Sequence, residues 1–201
     1  ALPYTFVVNG RRIYIKGWNW VPIDVMYSIP RPAKLERLLT LARRAHVNLL
    51  RVWGGGLIEK EAFYEQCDRM GILVWQEFIQ SSSGIDNDPS TDADYIQAVT
   101  QTAEQIIPRK RNHPSLAVWC GGNELTGGTE LPLDNSHPVL TALKSVVERL
   151  DPFRRISVDA RRFDPGQLSA LQVTTAAALP FRSCRDACPR KYFGQNSADG
   201  A

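Results

Sequence analysis

Apolar residues recur along this chain in two alternating ways, as short β-rich runs and as longer stretches with helical spacing. Residues 5–8 and 12–16 are β-rich runs around Asn9-Gly10, which predicts a hairpin. The second run continues through Gly17-Trp18-Asn19-Trp20 to Pro22-Ile23-Asp24, a strand followed by a loop. Over residues 32–45, Leu35, Leu38, Leu39 and Ala42 share one helical face, with Arg, Lys and Glu on the other. His46 at the end of that helix reads as a cap or packing residue. Residues 47–53 make a second strand ending at Gly54-Gly55-Gly56, and residues 59–70 a second helix closed by Gly71. A third strand over 72–78 carries Glu77 near its end, and the polar stretch 81–94 reads as a rim loop. Thr91 or Asp92 caps a third helix that runs to about Ile107 and stops before Pro108. Residues 116–120 make a fourth strand and 138–150 a fourth helix.

Strand and helix thus alternate four times, which predicts parallel βαβ units. The strands are apolar on both faces, as a sheet covered by helices requires. A doubly wound sheet would fit the alternation, but a (β/α)8 barrel fits better. Polar and aromatic residues end every strand at one common rim: Trp20 and Asp24, Arg51 and Trp53, Glu77, then Asn123 and Glu124. The expected fold class is therefore α/β, a (β/α)8 TIM-barrel fold with only about the first four β/α units, preceded by a short β-hairpin. Four strands cannot close an eight-stranded barrel, so marginal stability and self-association through exposed sheet edges are expected.

The stretch from Asn112-His113-Pro114-Ser115 to Gly121-Gly122-Asn123-Glu124 carries the most chemistry. It sets a carboxylate just beyond the C-terminal end of a strand, where α/β barrels keep catalytic groups. Local pattern alone equally allows Glu124 to cap the next helix. Gly54-Gly55-Gly56 lacks the spacing of a phosphate-binding loop and suits close backbone approach around a ligand.

Composition alters this picture little. The chain has 201 residues, 43% of them hydrophobic, and a net charge of +3. Its basic residues come in short clusters, which argues against a nucleic-acid partner. No apolar stretch has the length of a membrane span, and no leader pattern opens the chain, so no membrane partner is expected and a cytoplasmic location is favoured. Cys67 and Cys120 fall on core patterns. Cys184 and Cys188 have no nearby His, and neither a zinc site nor a disulfide framework is supported.

The rim motifs resemble family 2 glycoside hydrolases of the β-mannosidase group. The resemblance runs through Val8-Asn9-Gly10, Gly17 to Asp24, Asn48 to Gly56, Phe63 to Asp68, Val74 to Phe78 and Asn112 to Glu124, in order. It implies retaining hydrolysis of terminal β-linked mannose from an oligosaccharide or β-mannoside, without cofactor or metal. Glu124 would be the acid/base and Asn123 would contact the sugar 2-hydroxyl. Trp53 and Arg51 would stand at the rim of the sugar subsite, with Asp24 and Glu77 as hydroxyl-binding carboxylates. Such chemistry needs a second carboxyl about 5–5.5 Å from the first. Arg51 could instead serve to hold neighbouring carboxylates, Glu77 among them. Trp75 and Trp119 read as core or barrel-lining residues, and Glu130 and Glu148 as surface residues. Rival readings within the same chemistry are exo-β-glucosaminidase, β-galactosidase and β-glucuronidase; outside it, a non-catalytic carbohydrate-binding remnant.

The family's nucleophile is a glutamate at the end of strand seven, and no glutamate follows Glu148 here. The isolated chain is thus expected to be inactive. Residues 1–153 read as the N-terminal half of the family's catalytic barrel, and 154–201 as an atypical tail, disordered or read in a shifted frame, with no fifth strand followed by an amphipathic helix evident.

Overall fold

The computed structural model describes residues 6–81, 87–127, 132–157 and 171–173. Asn9 and Gly10, both at positive φ, turn β1 (Phe6–Val8) into antiparallel β2 (Arg11–Ile13), the hairpin expected from Asn-Gly. A short β8 (Leu171–Val173) pairs with β1 on its other side. The main sheet is wholly parallel, in the order β3 (Gly17–Trp20), β4 (Leu49–Val52), β5 (Leu73–Glu77), β6 (Leu116–Cys120) and β7 (Arg155–Ser157). The helices α1 (Pro32–Arg44), α2 (Glu61–Met70), α3 (Ala93–Lys110) and α4 (Pro138–Leu150) each follow a strand and return the chain to the next. These are four β/α units of a barrel wall and the start of a fifth.

Strand alternation divides the core in two. Trp20, Leu50, Val52, Val74, Phe78 and Trp119 face the helices, where they meet Leu39, Phe63, Tyr64, Ile107 and Leu143. Trp119 stacks on Phe78 at 5.3 Å and donates its indole N–H to Asp151 at 2.9 Å. Leu49, Leu73, Trp75, Ala117 and Val118 face the barrel interior, packed with Phe6 and Val8 of the hairpin. Ala117 and Val118 both point inward because the register shifts between Val74 and Trp75. Trp75 and Trp119 are thus both structural, on opposite faces of the sheet.

Most expected elements appear with ends shifted by a residue or two, and three differences are informative. The third helix does not stop before Pro108 but continues through it to Lys110. Pro108 lies on the exposed side near the last turn, so one missing hydrogen bond is outweighed by buried Ile107 and Lys110. Asp92 precedes that helix as expected, but its side chain makes no capping bond and accepts from Ser90 Oγ instead. A fifth strand of the main sheet lies at the start of the stretch read as an atypical tail: β7 pairs with β6 in parallel, Val118 to Cys120 against Arg155 to Ser157.

Arg154 anchors this strand. It donates to the carbonyls of Leu116 at 2.6 Å, Arg111 at 2.5 Å and His113 at 3.0 Å, and pairs with Asp151 at 2.9 Å. The same corner holds a polar knot, with Lys110 buried and Glu61 exposed. His113 lies 2.6 Å from both Asp68 and Glu61, and stacks on Tyr64. Lys110 reaches Glu61 at 2.8 Å, and its ammonium sits 4.5 Å over the Tyr64 ring. Lys110, ahead of His113, holds the Glu61 carboxyl below its usual range, partly opposed by burial. The Asn112-His113-Pro114-Ser115 motif therefore fixes the N-terminal end of β6, remote from the rim that β6 serves.

Candidate active site

At the C-terminal rim the side chain of Arg51 joins four strands. It lies on the interior face of β4, in register with Asn19 on β3 and Trp75 on β5. Its Nε donates to Glu77 Oε1 at 2.7 Å, Nη1 to Asn19 Oδ1 at 3.2 Å and Nη2 to Asn123 Oδ1 at 2.5 Å. Glu77 is completely buried, and its other oxygen accepts the backbone N–H of Gly54 at 2.8 Å. The side chain of Glu77 is 0% exposed and that of Arg51 23%, so the pair is held in a poorly hydrated setting where charge-assisted bonds are strong. With both oxygens engaged, Glu77 braces Arg51 instead of facing the opening of the barrel.

Beyond β6 the chain turns tightly. A Cβ on Gly122 would stand 2.7 Å from the carbonyl of Gln80, so only glycine passes there. The Asn123 N–H donates to that same carbonyl at 2.8 Å, and its Nδ2 to Ser81 Oγ at 3.3 Å. Gln80 also ties the rim together by donating to the Gly121 carbonyl and accepting from Tyr95. Leu125 is buried, and the Thr126 N–H bonds the Asn87 carbonyl at 3.2 Å. Held on both sides, Glu124 takes up the turn with φ of +54°. That left-handed conformation costs a residue with a Cβ about 1–2 kcal/mol. Strain of this kind concentrates at functional positions. Glu124 is half-buried, and the next described helix, α4, begins only at Pro138, so it is not a helix cap.

Trp53 is half-buried, with its indole lying across Gly55, where a Cβ would come within 2.0 Å of the ring. A Cβ on Gly54 would strike the Phe78 carbonyl at 2.6 Å, and one on Gly56 the Pro22 ring at 2.6 Å. The three glycines thus allow the close backbone approach expected, here of Phe78, Trp53 and Pro22. Asp24 lies in the loop after β3. It accepts from the Met26 N–H at 3.0 Å and from Arg31 at 3.0 Å, and these bonds hold its carboxyl below the usual range.

Four of the six expected site residues thus share one array: Arg51, Glu77 and Asn123 by direct bonds, and Glu124 as the residue after Asn123. Trp53 adjoins it through Gly54, while Asp24 accepts from Met26 and Arg31 in the loop after β3. Asn19, Gln80 and Ser81 were not singled out from the sequence. Asn19 was open to discovery, since it occupies the same position on β3 that Arg51 occupies on β4. Gln80 and Ser81 follow a strand end in a polar stretch that offers no such signal. Cys67 and Cys120 are buried core residues, and burial pushes the Cys67 thiol up. Glu148 pairs with Lys144 on the surface of α4. Glu130, Cys184 and Cys188 lie outside the described residues. Among the described residues no cluster of His, Cys, Asp and Glu could hold a metal, and no helix is long and apolar enough to cross a membrane.

A parallel barrel wall with polar groups gathered at its C-terminal rim defines the class, an α/β-barrel domain of the TIM type. Residues 4–176 match the model of glycosyl hydrolases family 2, TIM barrel domain, and the chain belongs to that family. It is 38% identical over 124 residues to the beta-mannosidase of Bos taurus, covering 62% of this chain and 14% of that protein. With beta-mannosidase B of Emericella nidulans the identity is 36% over 121 residues, 60% of this chain and 14% of the relative. The crystal structure of beta-D-mannosidase from Dictyoglomus thermophilum aligns with a TM-score of 0.66 and 35% identity, over 75% of this chain and 19% of that one. A beta-glucuronidase from Parabacteroides merdae shares the fold at a TM-score of 0.57 and 22% identity, over 75% and 18% of the two chains. The chain thus spans about 14% of the length of these curated relatives.

Proposed function

We propose that this chain is the N-terminal half of a catalytic barrel that hydrolyses terminal β-linked mannosides with retention, and that Glu124 is its acid/base. The observation that carries the proposal is Glu124 in a left-handed turn directly after Asn123, whose amide is bonded to Arg51. In the first step the Glu124 carboxyl gives its proton to the glycosidic oxygen while a second carboxylate attacks the anomeric carbon. In the second step the Glu124 carboxylate takes a proton from the water that releases the sugar. Trp53 offers an apolar platform for a sugar face, and Asn123 an amide for the 2-hydroxyl. Asp24 binds a hydroxyl at the outer rim only beside or in place of its bonds from Met26 and Arg31. Glu77, fully engaged with Arg51 and Gly54, is not the attacking group. That carboxylate belongs to a strand beyond β7.

On this reading the purified 201-residue chain does not turn over an aryl β-mannoside, and turnover by it would refute the half-site. It also self-associates through the β3 and β7 edges. In a complete barrel carrying this segment, a panel of aryl β-mannoside, β-glucosaminide, β-galactoside and β-glucuronide identifies the sugar. Glu124→Gln there abolishes cleavage of a poor leaving group but spares much of the first step for a dinitrophenyl glycoside, which departs without a proton. Mannoside binding without hydrolysis, unaffected by Glu124→Gln, would instead mark a sugar-binding remnant.

A further inference from the structure

The three bonds of Arg51 have a consequence for which sugars the rim accepts. A carboxamide has one accepting oxygen and one donating nitrogen, and its neighbours decide which way it faces. Here the Asn123 oxygen is taken at 2.5 Å by a guanidinium, which can only donate. Asn123 Nδ2 is thereby turned to the other side, where Ser81 Oγ receives one of its two N–H bonds. The guanidinium cannot rotate to release the oxygen. Its Nε is fixed on the buried Glu77 carboxylate and its Nη1 on Asn19 Oδ1. Glu77 is itself fixed by the Gly54 N–H.

We propose that Asn19 and Glu77 are positioning residues that act through Arg51 to lock the Asn123 amide with its nitrogen outward, so that the site accepts a hydroxyl oxygen and rejects an ammonium at the sugar 2-position. The proposal rests on the reading above that Asn123 meets that position. A 2-hydroxyl can accept from Nδ2 and donate its own proton elsewhere. A 2-ammonium has nothing to accept with, and would approach a nitrogen donor backed by a cation. The clamp therefore selects a neutral 2-hydroxy sugar against a 2-amino-2-deoxy sugar, a choice otherwise left open within this family.

The test uses the full-length protein that carries this segment, with matched aryl β-mannoside, aryl 2-deoxy-β-mannoside and aryl 2-amino-2-deoxy-β-mannoside, which share one configuration at every other centre. The wild type is expected to cleave the mannoside at least about tenfold better, in kcat/KM, than the 2-deoxy compound, the scale of one lost bond to a polar site. It is expected not to cleave the 2-amino-2-deoxy-β-mannoside. Asn19→Leu removes the Nη1 acceptor and lowers kcat/KM severalfold more for the mannoside than for the 2-deoxy substrate. Asn19→Asp, which keeps an acceptor for Arg51, restores the preference. A merely structural Asn19 would depress both substrates alike, and that result would overturn the clamp while leaving the mannosidase reading intact. Efficient cleavage of the 2-amino-2-deoxy-β-mannoside by the wild type would overturn the selection rule. No cleavage of any glycoside by the wild type would remove the mannosidase reading and the selection rule with it.

Discussion

Replacing Arg51 by methionine tests the energetics of the rim directly. Methionine keeps most of the side-chain volume but strips Glu77 of its charge partner, which sits 2.7 Å away. If the pair behaved as a surface salt bridge, the loss would be about 0–1 kcal/mol. It does not have a surface setting, since the Glu77 side chain is 0% exposed. Removing one member of a buried pair costs about 3–5 kcal/mol, because the remaining charge is left poorly hydrated. The Gly54 N–H still bonds Oε2, which offsets part of this and points to the lower end, about 3 kcal/mol. With a urea slope of about 2 kcal/mol per molar, the midpoint would fall by about 1.5 M.

The double variant Arg51→Met/Glu77→Gln removes both charges and should be less damaged than Arg51→Met alone, because no charge remains buried. Arg51→Lys keeps the charge but cannot fork to three acceptors, so it should recover stability and not the orientation of Asn123. Urea unfolding of these proteins and of the single variant Glu77→Gln decides the matter. A loss below about 1 kcal/mol for Arg51→Met, or simple additivity in the double variant, would refute the buried-pair reasoning.

The knot beneath β6 gives a pH prediction. The Glu61 carboxyl is held low chiefly by Lys110 and further by His113, so its contribution is present above the ordinary glutamate range and is lost as pH falls through the lowered folded value. Thermal midpoints of the wild type and Glu61→Gln should differ at neutral pH and converge in acid; a constant gap would contradict this. Pro108→Ala should stabilise the chain, since helix-interior proline costs about 3 kcal/mol, less about 1 kcal/mol regained by the freer unfolded chain; calorimetry showing no gain would count against it. Gly54→Ala should destabilise by about 1–3 kcal/mol because its Cβ meets the Phe78 and Gln80 carbonyls, whereas Gly55→Ala should displace the Trp53 ring and alter its fluorescence. Equal and unchanged fluorescence in both would show that Trp53 does not lie over Gly55.

The wall of the barrel was legible because each strand is a short apolar run and each helix an amphipathic one. The fourth strand and fourth helix coincide with β6 and α4, the latter opened by Pro138 at its first position. What failed depends on partners distant in sequence. β7 is three residues long and has little pattern of its own; it is defined by pairing with β6 and by Arg154 reaching across to Leu116. Pro108 reads locally as a stop, yet the packing of Ile107 and the Lys110–Glu61 pair carry the helix past it. The rim residues could be named from their places at strand ends. Their division of labour could not, because Glu77 differs from Glu124 only in what surrounds it. Asn19 required the β3–β4 register.

That division explains how half a barrel can hold its part of a site. Every bond of the Arg51 array lies within β3, β4, β5 and the segment after β6, so the orientation of Asn123 does not await the closure of the barrel. The interior is closed from below by Phe6 and Val8 on Leu49 and Leu73, which keeps the apolar layer beneath the polar one. The turn at Glu124 is set by Gln80 and Gly122, again within these four units. On the proposed reading of Glu124 as acid/base, completion of the barrel therefore need not build that half of the site. It has to bring a second carboxylate to a group already in place, and cover the edges of β3 and β7.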